Sequence, residues 1–542
     1  MNQTTSFVYA KVLFILTVLG STICLGQAPA MLWQKAIGGS GGDYVNSAVE
    51  ANHGGYVFAG TAGSADGDIP VSLGGADGLL FKLDLSGSLK WIKVFGGTAV
   101  DQLPFVSKTK DGGYIAVGYT RSTTIPGYHA LDDAWVVKTD SLGNLQWQKC
   151  YGGSGNDRLT GSVQQMADGN YLVCGSTTSV DGDVSGYHAG GGDAWVVKID
   201  SGGTHSVLWQ KCLGGSSGSM SCKDAIEASD GGIVVVAGAF ATNGDAAGNH
   251  GGEDGWIAKL NSTGTSVLWE QCMGGTGDDD FWSVVQLADN SYAISGTSGS
   301  ATIPGNHSGS NDYWFVHLSA SGSAVYWQKC FGGSGTDMGL NAVPTSDGKF
   351  IATGRAAGTN DGDITGVSSP CQGSNNYNFW QVKFDSLGVI WQKSLGGTLY
   401  DGGNMVIQTS DGGYLIGGET ASGDGDITGI HGSVPYPEDA WIVKLAPDAL
   451  STGISSEGLN PTQLNVFPNP GNVKITLSLS PLQDPIQTIE IYSLQGAILM
   501  TVADPTPGDS IDLDVSSLPA GLYALRATTL TGVWIKKLIL TH

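Results

Sequence analysis

The stretch Asp193-Ala194-Trp195-Val196-Val197-Lys198-Ile199-Asp200, a Gly-containing turn and Leu208-Trp209-Gln210-Lys211 decide the fold, because the unit they form recurs. Its second Trp returns at Trp33, Trp91, Trp147, Trp209, Trp269, Trp327 and Trp391, at spacings of 58, 56, 62, 60, 58 and 64 residues. Its first returns at Trp135, Trp195, Trp256, Trp314, Trp380 and Trp441, with Leu79 in that place in the first repeat. A fixed period of this length marks a repeat architecture, one supersecondary unit stacked many times.

Residues 153–213 display the unit. The pattern predicts a loop at Gly153-Ser154-Gly155-Asn156-Asp157 and a strand from Leu159 to Ala167. A tight hairpin at Asp168-Gly169-Asn170 leads to a second strand from Tyr171 to Thr177. A long polar loop follows, then a third strand from Asp193 to Asp200 and a fourth from Val207 to Cys212. Asp-Gly and Gly-Gly pairs supply the positive φ that short hairpins need. Asp140, Asp200 and Asp385 each precede a Gly by three residues, which fits a type I turn closed by a left-handed Gly. Four hairpin-linked strands make one blade, and seven such blades close into an all-β propeller. In Trp195-Val196-Val197 both strand faces are apolar, as in a sheet sandwiched between two others. The fourth-strand Trp is expected to lie flat across its own blade, where an indole buries about 200 Å².

The phase of the repeat predicts how the ring closes. The first copy opens on a lone fourth strand, Leu32 to Ile37, and the last ends after a third strand, Asp439 to Leu445. The N-terminal strand therefore completes the seventh blade. The expected organisation is a signal peptide at 1–26, the propeller at 31–447, a linker at 448–463 and a small immunoglobulin-like β-sandwich at 464–542. Alternating strand direction puts the fourth-to-first and second-to-third loops on one face. That long-loop face is where binding is expected, since variable loops on a rigid scaffold carry function.

Charge and leader restrict the function. Asp and Glu number 49 against 25 Lys and Arg, a net charge of −24, which repels phosphate backbones and excludes nucleic acid as a partner. Lys11 followed by the apolar run from Val12 to Leu19 reads as a secretion signal, and no later segment is apolar enough to span a bilayer. Cys150, Cys212, Cys272 and Cys330 sit at equivalent repeat positions and read as small buried apolar residues.

Several constellations resemble chemical sites. Asp66-Gly67-Asp68, Asp181-Gly182-Asp183, Asp361-Gly362-Asp363 and Asp424-Gly425-Asp426, with the variant Asn243-Gly244-Asp245, raise the possibility of Ca²⁺. Two carboxylates per loop fall short of the 6–8 oxygens that Ca²⁺ takes, so they read as turn formers, and no cofactor is assigned. His129, His188, His250, His307 and His431 recur at matching loop positions and read as loop braces rather than converging metal ligands. Gly38-Gly39-Ser40-Gly41-Gly42 and Gly214-Gly215-Ser216-Ser217-Gly218 match a nucleophile pattern but lack a following helix. Asp43, Asp101, Asp157, Asp279, Asp337 and Asp401 would form a carboxylate ring, with no pair singled out for glycoside chemistry. Catalytic and binding residues break symmetry. The departures from the repeat are Phe105, Arg158, Trp282, Arg355 and the Cys371 to Tyr377 insertion.

After Leu445 the pattern stops. About seven strands are predicted from residue 464 onward, in a segment carrying six acids and four bases. Val466-Phe467-Pro468-Asn469-Pro470 is followed by Ile489-Glu490-Ile491-Tyr492-Ser493-Leu494-Gln495-Gly496, then Leu518-Pro519-Ala520-Gly521-Leu522-Tyr523 and finally Lys536-Lys537-Leu538. In order and spacing these motifs resemble the type A C-terminal sorting domain of the Bacteroidota type IX secretion system. The resemblance implies Pro468, Asn469, Pro470, Tyr492, Gly496, Gly521, Tyr523, Lys536 and Lys537 as the sorting motif. It also implies the secretion machinery and its surface protease as partners, with the cargo released or displayed on the outer membrane. The Asp-x-Trp…Leu-Asp-x-x-Gly…Trp rhythm is similar to quinoprotein-type propeller repeats, with no quinone-binding residues to carry over. The expected function is a secreted or surface-displayed binding module for a glycan or protein. The alternatives are a polysaccharide-acting enzyme with its site on the long-loop face and a passive adhesive protein.

Overall fold

The structure is a computed structural model describing residues 26–307, 311–357, 360–366, 377–431, 438–448, 463–469, 471, 473–480, 486–492, 498–503, 510–528 and 533–541. Nearly all of the proposed signal peptide and of the proposed linker, and the Cys371 insertion as far as residue 376, lie outside these residues. The described residues are all-β apart from one 3-10 turn, Gly244–Ala246.

Groups of four antiparallel strands follow one another along the repeat region. The first is Asp43–Glu50, Tyr56–Ala62, Asp77–Leu83 and Leu89–Phe95, paired in that order. Sheets two to six repeat the plan between Asp101 and Leu395, and a two-residue parallel bridge ties the third to the fourth through Gly191 and Gly218. The seventh pairs Asp401–Gln408, Tyr414–Thr420 and Asp439–Leu445 with Met31–Ile37 from the other end of the region. Each sheet packs on the next, and the seventh packs on the first. This is a propeller-like arrangement.

Burial follows the sequence pattern. Third strands such as Asp133–Thr139 and Asp254–Leu260 are buried along their whole length, because neighbouring sheets cover both faces. Trp135, Trp195, Trp256, Trp314, Trp380 and Trp441 are fully buried. The indole N–H of Trp135, Trp195, Trp314 and Trp380 donates to the fourth-strand Gln of the same sheet, at 3.2, 2.8, 3.2 and 2.6 Å. In the first sheet Leu79 replaces the Trp and Ile92 the Gln, so donor and acceptor are absent together.

Two expectations need correction, and the place of the fourth-strand Trp is extended. Its ring also seats against the following sheet. Trp33 faces Tyr56 and the Gly87 turn of the following sheet, where an added Cβ at Gly87 would stand 2.9 Å from the ring. Trp91, Trp209 and Trp269 meet Gly143, Gly264 and Gly322 in the same way. The indole wedges between sheets because a bare glycine leaves a flat seat for it. In the third sheet the turn is not closed by a left-handed Gly203; His205 takes the left-handed conformation, φ 45°, and stacks on Trp147 at 3.9 Å. That sheet's first strand is also broken, into Asp157–Arg158 and Val163–Gln165. Gly161 there presses on Cys174 Sγ, leaving no room for a Cβ.

The C-terminal segment forms two sheets. Gln463–Phe467, Lys474–Ser480 and Ile511–Asp514 make one; Ile498–Ala503, Thr488–Tyr492, Gly521–Thr528 and Val533–Leu540 make the other. Ile475, Leu477, Ile489, Ile491, Leu513, Leu525 and Leu538 fill the space between them.

Candidate functional site

The first strand of each sheet lines a channel on the axis of the ring, with a volume of about 270 Å³. These strands are not regular. Pairing with the second strand slips after Val45, Gln102, Cys222, Phe281, Gly339 and Gly403. A β-bulge leaves one residue unpaired and re-aims its side chain. In five of the seven sheets the residue skipped is Asn46, Lys223, Trp282, Leu340 or Asn404, and all five line the channel. In the second sheet Leu103 and Pro104 are skipped instead and Phe105 lines the channel. Five sheets thus build one inward position each, filled by Asn twice and by Lys, Trp and Leu once.

Neighbouring inner strands are stitched by side chains. Ser47 Oγ accepts the N–H of Val106, Ser162 Oγ that of Ala225, Asp224 Oδ2 that of Val284 and Asn341 Oδ1 that of Val406, all at 2.9–3.0 Å. These bonds satisfy edge N–H groups that would otherwise be stranded in the wall.

Trp282 lines the channel and is 36% exposed, whereas every other Trp whose side chain is described is buried or half-buried. Lys223 Nζ lies 4.1 Å above its ring and 3.6 Å from Asp280 Oδ2. Asp280 keeps its other oxygen, Oδ1, buried with no hydrogen-bond partner. Glu253, from the loop before the third strand of the fourth sheet, faces it. A Cβ on Gly238 would stand 2.1 Å from Glu253 Oε1 and 2.5 Å from Asp280 Oδ1, so the two carboxylates meet over a bare glycine. Burial, then repulsion by Asp280, pushes Glu253 up to about 7; burial pushes Asp280 up to about 6 against the pull of Lys223.

Of the symmetry-breaking residues, the structure brings Phe105 and Trp282 into the channel wall. Arg158 and Arg355 are used otherwise. Arg158 joins Arg121 in gripping Asp132, with Nε 2.7 Å from Oδ2. Arg355 donates to Asn404 Oδ1 at 3.0 Å and Glu419 Oε1 at 2.9 Å, and Tyr400 adds a bond to the same oxygen at 3.0 Å. Sequence reading missed Lys223, Glu253 and Asp280. Aligning the residue after each first-strand Asp (Tyr44, Gln102, Arg158, Asp280, Met338, Gly402) would have exposed Asp280 as an unbalanced acid.

The recurring polar residues are frame, not site. The proposed carboxylate ring does not face solvent: Asp43, Asp101, Asp157, Asp279, Asp337 and Asp401 are fully buried. Each accepts the N–H of the Gly four residues earlier, at 2.7–2.9 Å. Asp66, Asp181, Asp361, Asp424 and Asn243 accept the N–H of Ser40, Ser154, Ser334, Thr398 and Ser216 at 2.6–2.9 Å. Nδ1 of His129, His188, His250, His307 and His431 lies 2.7–3.1 Å from the Asp that opens the next strand. Burial pushes the thiols of Cys212 and Cys272 up to about 12, so they stay neutral.

Within the sorting motif, Asn469 Oδ1 accepts the Ile539 N–H at 2.9 Å and the Tyr523 hydroxyl donates to Pro519 O at 2.5 Å. Tyr492 donates to Glu490 at 2.7 Å, while Pro468, Gly521 and Lys536 are exposed. Pro470 and Gly496 lie outside the described residues, as does the side chain of Lys537.

Residues 465–541 match the family described as the secretion system C-terminal sorting domain. The chain therefore carries a type IX sorting domain, and it is a secreted or cell-surface protein. Among the described residues no helix is long and apolar enough to cross a membrane. No curated protein matches the chain. Similar solved structures include a subtype N11 neuraminidase-like protein of A/flat-faced bat/Peru/033/2010 (H18N11), at 11% identity and a TM-score of 0.30, covering 64% of this chain and 88% of that one. Another is a subtype N10 neuraminidase-like protein of A/little yellow-shouldered bat/Guatemala/060/2010, at 9% identity and a TM-score of 0.31, covering 63% and 93%.

Proposed function

We propose that this chain is a seven-bladed β-propeller closed by its N-terminal strand and followed by an immunoglobulin-like β-sandwich that directs its export. The propeller acts outside the cell as a binding module, and its ligand seats in the axial channel. One observation carries this reading: the bulge position repeats in five inner strands, yet its occupants, Asn46, Lys223, Trp282, Leu340 and Asn404, range over an amide, a cation, an aromatic ring and an aliphatic chain. Structural positions of a repeat stay alike, as the clamp aspartates do; positions that recognise something diverge. Leu340→Trp, which narrows the channel without touching the blade contacts, should abolish ligand binding while leaving the melting temperature in place. Unchanged binding in that variant would remove the channel from consideration.

The export half of the reading rests on the sorting motif. Deleting residues 464–542 should leave the propeller folded inside the cell envelope of a type IX-secreting host instead of at its surface.

A polysaccharide-acting enzyme is the second reading, favoured by the convergent Glu253 and Asp280. Their oxygens are closer over Gly238 than the roughly 5 Å at which glycosidase carboxylates flank a scissile bond. Binding without turnover is the better match. Appearance of reducing ends in a hydrolysis assay run beside a glycan array would reverse the order.

A further inference from the structure

The geometry points to a neutral, hydroxyl-rich sugar ring as the ligand of the channel, held between the fourth and fifth sheets by Trp282 and Lys223. The inference rests on the channel being a binding site and adds the chemistry of what it binds.

Four observations restrict that chemistry. The first is size. Ligand pockets run from roughly 300 to 1,000 Å³, so a channel of about 270 Å³ takes a single ring, or the end of a chain, rather than a chain laid lengthwise. The second is the exposed indole. A flat, apolar ring with a polar edge is suited to a ligand that has one apolar face and hydrogen-bonding groups around it. Sugars have this shape: axial C–H groups on a face, hydroxyls at the rim.

The third observation is the polar part of the wall. Asn46, Thr160 and Asn404 line the channel, and their neutral amides and hydroxyl can both donate and accept hydrogen bonds, as the hydroxyls of a sugar do. The fourth is the seat already taken. Lys223 Nζ occupies the cation position over Trp282, so a quaternary or primary ammonium ligand would meet a like charge there. Anionic sugars are disfavoured in turn, because Asp280 already pairs with Lys223 at 3.6 Å and the chain as a whole carries −24. What remains is an uncharged polyhydroxylated ring.

The test uses the full chain and calorimetric titration with hexasaccharides of glucose, mannose and N-acetylglucosamine, set against the hexasaccharide of galacturonic acid. At least one neutral sugar should bind, and the galacturonate should bind more weakly. Trp282→Ala should weaken neutral-sugar binding by roughly tenfold or more, as loss of a stacking ring does. Trp282→Phe should recover it to within roughly threefold, a difference of well under 1.4 kcal/mol. Asn46→Ala provides an arm that leaves the indole alone. It removes a polar group from the channel wall, so it should weaken the sugar without lowering the melting temperature. Equal binding by wild type and Trp282→Ala, or preference for the galacturonate, would overturn the proposal. So would the absence of any sugar binding. A peptide or ammonium compound whose binding is lost in Leu340→Trp would end the sugar assignment yet leave the channel as the binding site.

Discussion

The indole N–H of Trp441 donates to Gln34 Oε1 at 2.8 Å across 407 positions of chain. The same bond within one continuous sheet joins Trp195 to Gln210, also at 2.8 Å. The turn-side contact repeats too: Ser410 N–H donates to Glu50 at 3.0 Å, as Ser346 N–H does to Gln408 at 2.7 Å. The contacts that join consecutive repeats therefore also join the last to the first.

If closure is equivalent to any other junction, Gln34→Ala and Gln210→Ala should destabilise alike. Each strands an indole N–H, at a cost of about 1–3 kcal/mol. Removing residues 31–37 should cost several times more, because it exposes the whole edge of Asp439–Leu445. Denaturant titration of the three variants decides this, and a harmless Gln34→Ala would mean that the N-terminal strand is not docked like the others.

The buried lysines predict an asymmetry. Lys138 is 3% exposed at its side chain and pairs at 2.8 Å with Asp111, which is 52% exposed. Asp111→Ala leaves a buried ammonium short of its partner, at a cost of about 2 kcal/mol, whereas Lys138→Met removes the charge and keeps the stem, with an effect under about 1 kcal/mol. Equal losses, measured by thermal or urea unfolding, would contradict the assignment of Lys138 as a buried charge.

Stability should peak in mild acid. Burial pushes Asp337 up to about 7, and Asp43 and Asp401 up to about 6. The unfolded chain releases these protons near pH 4, so their contribution is complete below that pH and lost as pH rises through 6 to 7. Asp111 moves the other way. Burial opposes the change, yet the hydrogen bond from Lys138 holds it down to about 2, so its contribution is present above pH 4 and lost as pH falls toward 2. Melting temperatures recorded from pH 2 to 9 should therefore reach a maximum between about 4 and 6. A monotonic rise to pH 8 would show that the clamp aspartates are ionised in the folded protein.

Chelation should leave the melting temperature unmoved. Asp66, Asp181 and Asp424 each already spend one oxygen on a neighbouring loop's backbone N–H. A fall in melting temperature on adding EDTA, restored by Ca²⁺, would reinstate the Asp-Gly-Asp loops as cation sites.

Much of this molecule was legible in one dimension. The 60-residue rhythm, the Asp-Gly hairpins and the Trp pairs reported the strands and their order, because a strand's two faces and a hairpin's glycines are local requirements. His129 and its counterparts were legible as braces, since regular recurrence signals a shared structural task. Trp282 and Phe105 were legible as departures from the pattern, though not as neighbours.

Three-dimensional packing decided the rest. What an indole seats against on the next sheet depends on where the glycine of another repeat stands, as Gly87 does for Trp33. Lys223, Glu253 and Asp280 come from separate strands and loops, and only the bulges of the inner strands and the bare Cα of Gly238 bring them together. Strand order is written residue by residue through backbone hydrogen bonding and alternation. The chemistry of the channel depends on distances between repeats, which no single repeat contains.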